Sequence, residues 1–494
     1  MYKPDFIEFK GLAENYNIIP VYREISADLE TPVSAFFKIS NDKHAFLLES
    51  VEGAEKWARY TFLGCKPHLI FKSKDRNVEI IKEGKREKRT SDDPLKLLRN
   101  MLSYYRPAEI KGLPRFFGGA VGYISYDMVR FFEKIPDETI DDLLLPDCYF
   151  LITDTLLIFD NLKHTIKVIS LANIRDGIDA HSLYEKAKEK IERLIDRLRE
   201  PFSFKPVEKT IIENDQKPLK SNLSKEEFLR IVERAKEYIR AGDIIQVVLS
   251  QRFNTLLKVE PFNIYRTLRM INPSPYMFFI KFPEVILLGS SPEILVRCEG
   301  DNVEVRPIAG TRPRGSTPEE DKMFEKELKN DPKERAEHVM LVDLGRNDLG
   351  RVARAGSIET NELMIIERYS HVMHIVSNVR GIKSEDKDGF DILEAAFPAG
   401  TVAGAPKIRA MEIIDELERT KRGPYAGAVG YFSYSGNIDF CITIRTLVIK
   451  DKQIYIQAGA GIVADSVPEK EFQETVNKAK GMVQAVKMAE GGLV

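Results

Sequence analysis

The residues from Phe397 to Lys407 read FPAGTVAGAPK and run directly into the helical pattern IRAMEIIDELE. A glycine-rich loop before a helix exposes backbone N–H groups at the positive end of the helix dipole, where an anion is stabilised. The loop lacks the Gly-Lys-Ser/Thr ending of a phosphate-binding loop and the spacing of a dinucleotide fingerprint. The sequence therefore predicts an anion site without pointing to a nucleotide.

Two glutamates on separate predicted helices could bind a divalent cation. Glu337 lies beside the apolar stripe of a helix that starts at Pro332, and Glu474 lies on the polar face of a later helix. We predict that Ser466 is the N-cap of that later helix. Mg²⁺ takes oxygen ligands and completes its octahedral shell with water and substrate oxygens, so two carboxylates are enough protein ligands. The alternative for each glutamate is an ordinary surface or capping charge.

Three further features are typical of anion binding or proton transfer. Arg445 lies inside the apolar strand pattern CITIRTLVI, where a charge is costly unless a structural carboxylate or an anionic ligand pairs with it. The stretch QAGAGIV at 457–463 is a second glycine-rich strand end that would expose backbone N–H groups. His374 lies in a β-branched, strand-like segment, either as a structural histidine or as a proton carrier near neutral pH.

The elements that carry these residues divide the chain into two parts. Residues Ser182 to Glu200 have apolar side chains at helical spacing, and the periodicity is then lost until a helix begins at Ser224 with a capping box. We therefore expect an N-terminal domain over 1–200, a linker over 201–222 and a catalytic domain over 223–490. In the catalytic part, helices alternate with short strands that turn residues separate, which predicts mixed α/β content with hairpin-linked strands.

Composition limits the class of protein and its partners. A chain of 494 residues with 43% hydrophobic residues can bury a large core. The net charge of −2 gives no broad attraction to nucleic acid or to an anionic membrane surface, so we expect neither as a partner. The four cysteines contain no CxxC pair, and no apolar run is long enough for a signal core or a membrane span. A cytoplasmic protein is expected.

Taken together, eight stretches resemble the chorismate-utilising enzymes. They read PIAGTRPRG, AEHVMLVDLGRNDLGRV, HVMHIVSNVRG, FPAGTVAGAPK, RGPYAGAVGYFSY, TIRT, QAGAGIVADSVPEKEFQET and NKAK. The resemblance extends over nearly all of 225–485. Within that family the pattern is most similar to the large subunits, or component I, of anthranilate synthases. LLES at 47–50 and NPSPYM at 272–277 match their tryptophan feedback pocket, and Ala309 stands where aminodeoxychorismate synthases usually have lysine.

The resemblance implies both a fold and a substrate site. The implied fold is α+β, with antiparallel sheets stacked as a sandwich, helices flanking them and the active site in a cleft. Glu337 and Glu474 would hold Mg²⁺, which bridges to the ring carboxylate of chorismate. The residues implied around the substrate are Gly310, Thr311, Thr401, Tyr425, Arg445, Gly459, Ala460, Gly461 and Lys478. The first three would line the ring-carboxylate end, so the anion expected at the 397–407 loop is a carboxylate.

The implied reaction has two steps. Ammonia adds at C2 of the ring while the C4 hydroxyl leaves, and pyruvate is then eliminated as the ring becomes aromatic. Glu293 occupies the position of the acid that protonates the leaving hydroxyl, and His374 that of the histidine linked to the elimination. Gln246 stands where water-using relatives commonly have a lysine that activates the nucleophile, which suits ammonia.

The resemblance also implies regulation and a partner. Ser50 together with Pro275, Tyr276 and Met277 would bind tryptophan between the two parts of the chain, whereas the alternative for LLES is a buried strand end without a ligand. The chain has no GxCxG motif of a glutamine amidotransferase. Use of glutamine would therefore need a separate small subunit, component II, in an expected heterotetramer, whereas free ammonia could feed this chain alone.

The sequence leaves two alternative functions open. The first is a related chorismate enzyme, namely an aminodeoxychorismate synthase or an isochorismate or salicylate synthase, which Ala309, Gln246 and the product would distinguish. The second is a catalytically silent tryptophan-binding regulatory subunit, which would bind tryptophan without turning over chorismate.

Overall fold

The computed structural model describes residues 1–51, 59–174, 177–201, 219–369 and 372–492. Most of the predicted linker, residues 202–218, therefore lies outside the described residues. Within these ranges there are twelve α-helices, together with a 3₁₀ helix at Tyr126–Phe131. The α-helices are α1 (Phe6–Leu12), α2 (Pro32–Ile39), α3 (Pro94–Ser103), α4 (Ala180–Arg199), α5 (Lys225–Ala241), α6 (Pro261–Ile271), α7 (Pro318–Asn330), α8 (Pro332–Gly350), α9 (Gly389–Ala396), α10 (Gly400–Ala403), α11 (Lys407–Leu417) and α12 (Pro468–Glu490).

Twenty-five strands accompany these helices in the described ranges. They are β1 (Tyr2–Lys3), β2 (Ile18–Ser26), β3 (Ala45–Glu49), β4 (Tyr60–Cys65), β5 (Leu69–Lys74), β6 (Asn77–Lys82), β7 (Lys85–Thr90), β8 (Gly119–Ile124), β9 (Cys148–Thr153), β10 (Thr155–Asp160), β11 (Thr165–Asn173), β12 (Lys220–Ser221), β13 (Gln246–Leu256), β14 (Tyr276–Lys281), β15 (Ile286–Ser291), β16 (Ile294–Glu299), β17 (Asn302–Val305), β18 (Ile308–Pro313), β19 (Glu359–Arg368), β20 (Val372–Ile382), β21 (Gly404–Ala405), β22 (Ala428–Ser433), β23 (Ile438–Ile442), β24 (Thr446–Lys450) and β25 (Gln453–Ile462).

The strands form two antiparallel sheets in the described part of the chain. The first has the order β1-β2-β11-β10-β4-β3-β14-β15-β24-β25-β13-β12, and β21 pairs with β13. The second has the order β18-β20-β17-β16-β23-β22-β8-β9-β5-β6-β7, and β19 pairs with β20. The two sheets and the twelve helices confirm the expected α+β fold.

Strands from before and after the predicted linker share both sheets. In the first sheet β3 pairs with β14, so that Glu49 lies opposite Met277. In the second sheet β8 pairs with β22, so that the two stretches GAVGY, which occur at 119–123 and 427–431, lie side by side. Each sheet therefore combines strands from the two parts of the chain that the sequence analysis predicted as separate domains.

The core lies between the sheets and under the helices. Phe62 of the first sheet contacts Tyr431 of the second, with ring centroids 6.0 Å apart, so the inner faces of the sheets pack together. On the outer face of the first sheet, α4, α6 and α12 bury their apolar stripes, as Ile191, Leu268 and Ala485 show. This arrangement excludes water from both sides of the first sheet.

One predicted helix start is confirmed and another is wrong. Ser224 caps α5 in a capping box, and Gly242 ends that helix in the left-handed conformation with φ 85°. The N-cap of α12 is Val467, not Ser466, and no side chain caps its backbone. The Ser466 hydroxyl instead accepts a hydrogen bond from the Val463 N–H at 3.0 Å, because the turn before the helix brings that N–H close.

Candidate active site

A cavity of about 560 Å³ brings together side chains from α8, α12, β13, β18, β20 and β25. Its lining includes nearly all the catalytic, substrate-binding and metal-binding residues predicted from the sequence, namely Gln246, Glu293, Gly310, Thr311, Glu337, His374, Thr401, Tyr425, Arg445, Gly459, Gly461, Glu474 and Lys478. Ala460 does not line it, because successive strand residues face opposite sides of the sheet and Ala460 points into the core. A larger cavity of about 860 Å³ lies against α4 and contains none of these residues.

Glycines in β25 make room for two functional side chains. A Cβ atom on Gly459 would lie 2.7 Å from the Tyr425 hydroxyl oxygen, and one on Gly461 would lie 2.5 Å from the Gln246 side-chain nitrogen. Both distances are shorter than real Cβ contacts allow, so any larger residue would displace Tyr425 or Gln246. The QAGAGIV stretch therefore lets side chains from neighbouring segments lie flat against the strand.

Carboxylates from two helices line the same cavity. Burial raises the pKa of Glu337 on α8, and the negative charges of Glu334 and of Glu474 on α12 raise it further, against a hydrogen bond from Gln246. That bond joins Gln246 Nε2 to Glu337 Oε1 at 3.3 Å, and Glu337 forms no ion pair with the described residues. Glu474 pairs with Lys478 at 2.7 Å. Both carboxylates therefore line the same cavity, and whether they share a metal ion stays a prediction.

A divalent cation fits these residues. Glu337 is buried without an ion pair among the described residues, so a hard cation would offset the cost of burying its charge, and Glu474 would offer a second carboxylate. No three His, Cys, Asp or Glu side chains in the described ranges are arranged to enclose a metal ion. Two carboxylates leave coordination positions open for water and a substrate oxygen, which is the arrangement that Mg²⁺ tolerates best.

Arg445 supplies an unneutralised positive charge to the same cavity. Its guanidinium donates to the Lys478 carbonyl oxygen at 2.7 Å and forms no ion pair within the described part of the chain. Burial lowers its pKa, whereas the electrostatic effects of Tyr425 and Glu474 raise it. The described residues therefore provide no structural carboxylate to pair with Arg445. An anionic ligand is the other partner that its sequence position predicts.

His374 is held as a neutral base. Its Nδ1 lies 2.9 Å from the carbonyl oxygen of Gly310 and 3.1 Å from the hydroxyl of Thr311. A carbonyl oxygen only accepts hydrogen bonds, so Nδ1 carries the hydrogen and Nε2 keeps its lone pair. Burial lowers the pKa of the ring, which keeps it uncharged near neutral pH.

Glu293 is an acid that keeps its proton at neutral pH. Burial raises its pKa to about 8, against the lowering effects of Thr401 and Lys478. A carboxyl group with such a pKa can donate a proton to a leaving group under conditions in which an ordinary glutamate is already ionised. The cavity thus contains a proton donor and a proton acceptor, Glu293 and His374, with opposite pKa shifts.

A second, smaller pocket of about 60 Å³ contains all four residues predicted to bind tryptophan. Ser50, Pro275, Tyr276 and Met277 line it at the junction of β3 and β14. The surrounding side chains include the aromatic residues Tyr60, Phe62, Phe278 and Tyr431. The volume is well below the roughly 300–1,000 Å³ of ordinary ligand pockets, so a ligand of tryptophan size needs side chains to move.

Three charged residues of this pocket were missed in the sequence. Arg115 and Arg297 each approach Asp439 to 3.0 Å, and the Tyr276 hydroxyl donates to Asp439 at 2.9 Å. Two of them could have been predicted, because Arg297 in ILVRCE and Asp439 in IDFCI are charges inside apolar strand patterns, as Arg445 is. Arg115, which precedes two phenylalanines in a loop, gave no such signal.

Comparisons with known proteins agree on one family. The family model described as chorismate binding enzyme matches residues 44–484. Anthranilate synthase component 1 of Acetivibrio thermocellus is 49% identical over 99% of each chain, and that of Aquifex aeolicus is 51% identical over 98% of this chain and 97% of the relative. The crystal structure of anthranilate synthase component I from Streptococcus pneumoniae covers 93% of this chain and 98% of its own, with 36% identity and a TM-score of 0.76. MenF, an isochorismate synthase of Escherichia coli, shares the fold at 19% identity, 97% and 98% coverage and a TM-score of 0.70.

Proposed function

The chain belongs to the chorismate-binding enzymes, and from this premise we propose that it forms anthranilate and pyruvate from chorismate and ammonia, the first step of tryptophan biosynthesis. The observation that carries the proposal is the composition of the 560 Å³ cavity, where a carboxylate cluster and an unpaired guanidinium accompany a protonated acid and a neutral histidine. This set matches a dicarboxylate substrate that must lose a hydroxyl group and then a proton.

The two carboxylates of chorismate would be bound by different groups. Glu337 and Glu474 would hold Mg²⁺, which when bound neutralises and orients the ring carboxylate. Gly310, Thr311 and Thr401 would line that end of the substrate. Tyr425, Arg445 and the backbone of residues 459–461 would bind the enolpyruvyl carboxylate, and Lys478 adds a positive charge to the wall.

In the first step ammonia attacks C2 and the C4 hydroxyl leaves. Hydroxide is a poor leaving group, so Glu293 transfers its proton to that oxygen, which departs as water. The electrons of the ring double bonds shift toward C4 as the C2–N bond forms, the new C2–NH₃⁺ group gives up a proton to solvent, and Glu293 takes a proton back from solvent. Gln246 has no basic nitrogen with which to activate water, which favours ammonia as the nucleophile.

In the second step the ring loses pyruvate. His374 takes the C2 proton through Nε2, the C3–oxygen bond breaks with its electron pair going to oxygen, and the departing enolate takes up a proton at its methylene carbon to become pyruvate. A neutral His374 is required, which its lowered pKa provides. General acid and base catalysis of this kind contributes about 10²–10⁴-fold each.

Tryptophan is the proposed feedback inhibitor. The pocket around Ser50 and Tyr276 offers aromatic surface for an indole and both signs of charge, on Arg115 and Asp439, for the zwitterionic backbone. Residues 1–200 supply one side of this pocket and the catalytic part, 223–490, supplies the other. Inhibition requires that tryptophan bind an inactive arrangement of these parts better than the active one.

The proposed partner is a glutamine amidotransferase small subunit. The relatives are named component 1, which implies a second component. Such a subunit would hydrolyse glutamine and supply ammonia in a heterotetramer in the cytoplasm. The isolated chain would accept ammonium salts and would not use glutamine.

Anthranilate fluorescence tests this proposal. The purified chain is incubated with chorismate, MgCl₂ and ammonium chloride, and parallel samples receive glutamine instead, or Glu293→Gln protein. We expect anthranilate and pyruvate in equal amounts from ammonium alone. Aminodeoxychorismate, isochorismate or salicylate as the product would reassign the chain to a related enzyme. Tryptophan binding in calorimetry with no turnover of chorismate would instead favour a regulatory subunit.

A further inference from the structure

The cavity of about 860 Å³ beside α4 is separate from the two sites described above. It lies where the chain leaves the first sheet at Cys65, the end of β4, and enters the second sheet at Leu69, the start of β5. Residues 64–68 line it at this crossing. Among the described residues, none lines both this cavity and either the active-site cavity or the pocket around Ser50. Its volume is typical of a site for a small molecule.

The helix α4 contributes two adjacent stripes of side chains to this cavity. Leu183, Ala187 and Leu194 form an apolar stripe. A basic stripe beside it consists of Lys186, Lys190, Arg193 and Arg197. Spacings of three, four or seven residues keep each set on one face of a helix. Apolar residues of the first sheet, among them Leu63 and Leu156, also line the cavity. A ligand bound there would therefore contact apolar and cationic groups together.

The wall of the cavity has an excess of positive charge. Its described residues include six basic side chains and two acidic ones, with His68 taken as neutral, so that the wall has a net charge of +4 in a chain whose net charge is −2. The basic residues are Lys66, Lys82, Lys186, Lys190, Arg193 and Arg197, and the acidic residues are Glu83 and Asp154. A concave surface with one sign of charge raises the local concentration of ions of the opposite sign.

Neighbouring carboxylates neutralise only part of this charge. Three of the six basic side chains have a carboxylate at 2.7–3.9 Å, and the shortest of these contacts joins Lys190 to Asp154. Within the described ranges, the other three basic residues, Lys82, Lys186 and Arg193, form no ion pair. Lys186 and Arg193 are exposed, so a ligand that enters the cavity can reach them.

A basic hairpin of the second sheet adds to the positive charge near the cavity. The turn between β6 and β7 supplies Lys82, Glu83 and Gly84 to the cavity wall. The strand β7 follows this turn and reads KREKRT, and all six of its residues are exposed. Four of the six are basic and one is acidic, so the surface next to the cavity also attracts anions.

We propose that this cavity is a binding site for an organic anion, a molecule that has a carboxylate, phosphate or sulfonate group on an apolar body. The anionic group would contact Lys186 and Arg193, and the apolar body would lie against Leu63, Leu156 and the apolar stripe of α4. An inorganic anion would make no use of the apolar residues, and an uncharged apolar molecule would make no use of the cations. The site goes beyond the proposed function, because it shares no described residue with the active site or the tryptophan pocket.

Fluorescence titration with two matched dyes tests the site. The dye 8-anilinonaphthalene-1-sulfonate has an aromatic body with one negative charge, and N-phenyl-1-naphthylamine has the same rings without the sulfonate. We expect the wild-type chain to bind one equivalent of the sulfonate dye, about tenfold more tightly than the neutral dye, the factor for a hydrogen bond to a charged group. Added salt should weaken this binding, because ions screen exposed charges. Neither tryptophan nor chorismate with Mg²⁺ should displace the dye.

Charge reversal on α4 tests where the sulfonate dye binds. Arg193→Glu replaces one cation of the wall by an anion, and Arg230→Glu is the matched control, since Arg230 is an exposed arginine of α5 outside this cavity. The affinity for the sulfonate dye should fall at least about tenfold in Arg193→Glu and change less than about twofold in the control. If Arg193→Glu does not fold, Lys186→Glu answers the same question at a second exposed position of the basic stripe.

Other outcomes would overturn the assignment. An unchanged affinity in Arg193→Glu and Lys186→Glu would show that the dye binds away from the basic stripe. Equal affinities for the two dyes would show that the cations do not contribute, and complete displacement by equimolar inorganic phosphate would show that the apolar residues do not. Displacement by tryptophan, or by chorismate with Mg²⁺, would place the dye in one of the two sites already described.

Discussion

His374 donates its Nδ1 hydrogen to the carbonyl oxygen of Gly310 across 2.9 Å, which leaves Nε2 as the lone-pair nitrogen. Burial lowers the pKa of the ring below the usual 6.5, so the neutral form of His374 predominates at pH 6.5. We therefore predict that the acid limb of kcat has its midpoint below pH 6.5. The measurement is anthranilate formation at saturating chorismate, Mg²⁺ and ammonium between pH 5 and 8.

The variant His374→Asn gives the control for this limb. Asparagine can replace the Nδ1 hydrogen bond to Gly310 but cannot take a proton, so kcat should fall by about 10²–10⁴-fold while the Tm changes little. The acid limb should disappear from what activity remains. A wild-type acid limb centred above pH 6.5 would contradict the lowered pKa.

Glu293 should set the alkaline limit of the reaction. The acid must be protonated to act, and its pKa is about 8 in the folded protein, so kcat/KM for chorismate should fall as pH rises through about 8. Glu293→Gln should lose about 10²–10⁴-fold in kcat because an amide cannot donate a proton to the leaving oxygen. Ammonia becomes more abundant at high pH, so each point needs a fixed concentration of neutral ammonia. A kcat/KM that stays level to pH 9.5 would exclude Glu293 as the acid.

Removal of either carboxylate at the other end of the cavity should weaken metal binding. Glu337→Gln and Glu474→Gln should each raise the Mg²⁺ concentration for half-maximal activity at least tenfold, because each removes one of two charged protein ligands. Mg²⁺ should also raise the Tm of the wild-type protein, since a ligand of the native state stabilises it. Glu469→Gln, at an exposed position of α12, is the control. Equal Mg²⁺ dependence in all four proteins would refute the site.

The sequence allowed the parts of the active site to be predicted better than their arrangement. A charged residue inside an apolar strand pattern, such as Arg445, can be recognised from the sequence alone, because burying a charge is costly and the neighbouring residues predict burial. The distance between Glu337 and Glu474 depends on how α8 and α12 pack. The hydrophobic periodicity of one helix does not predict its position relative to a helix more than a hundred residues away. That both glutamates would line one cavity was therefore expected from the family resemblance alone.

The order of the strands could not be predicted from local sequence patterns for the same reason. The pairing of β3 with β14 places Glu49 opposite Met277, and its register depends on contacts between distant parts of the chain.

Ser50 offers the sharpest test of the tryptophan pocket. The pocket is already small, at about 60 Å³, so Ser50→Phe should fill it and raise the tryptophan concentration for half inhibition at least tenfold. Inhibition curves are normalised to the rate of each variant without tryptophan, and calorimetry measures binding directly. Ser103→Phe, at an exposed position on α3, is the matched control. If Ser50→Phe bound tryptophan as the control does, the inhibitor would have to bind elsewhere, because a phenyl ring and an indole cannot share this space.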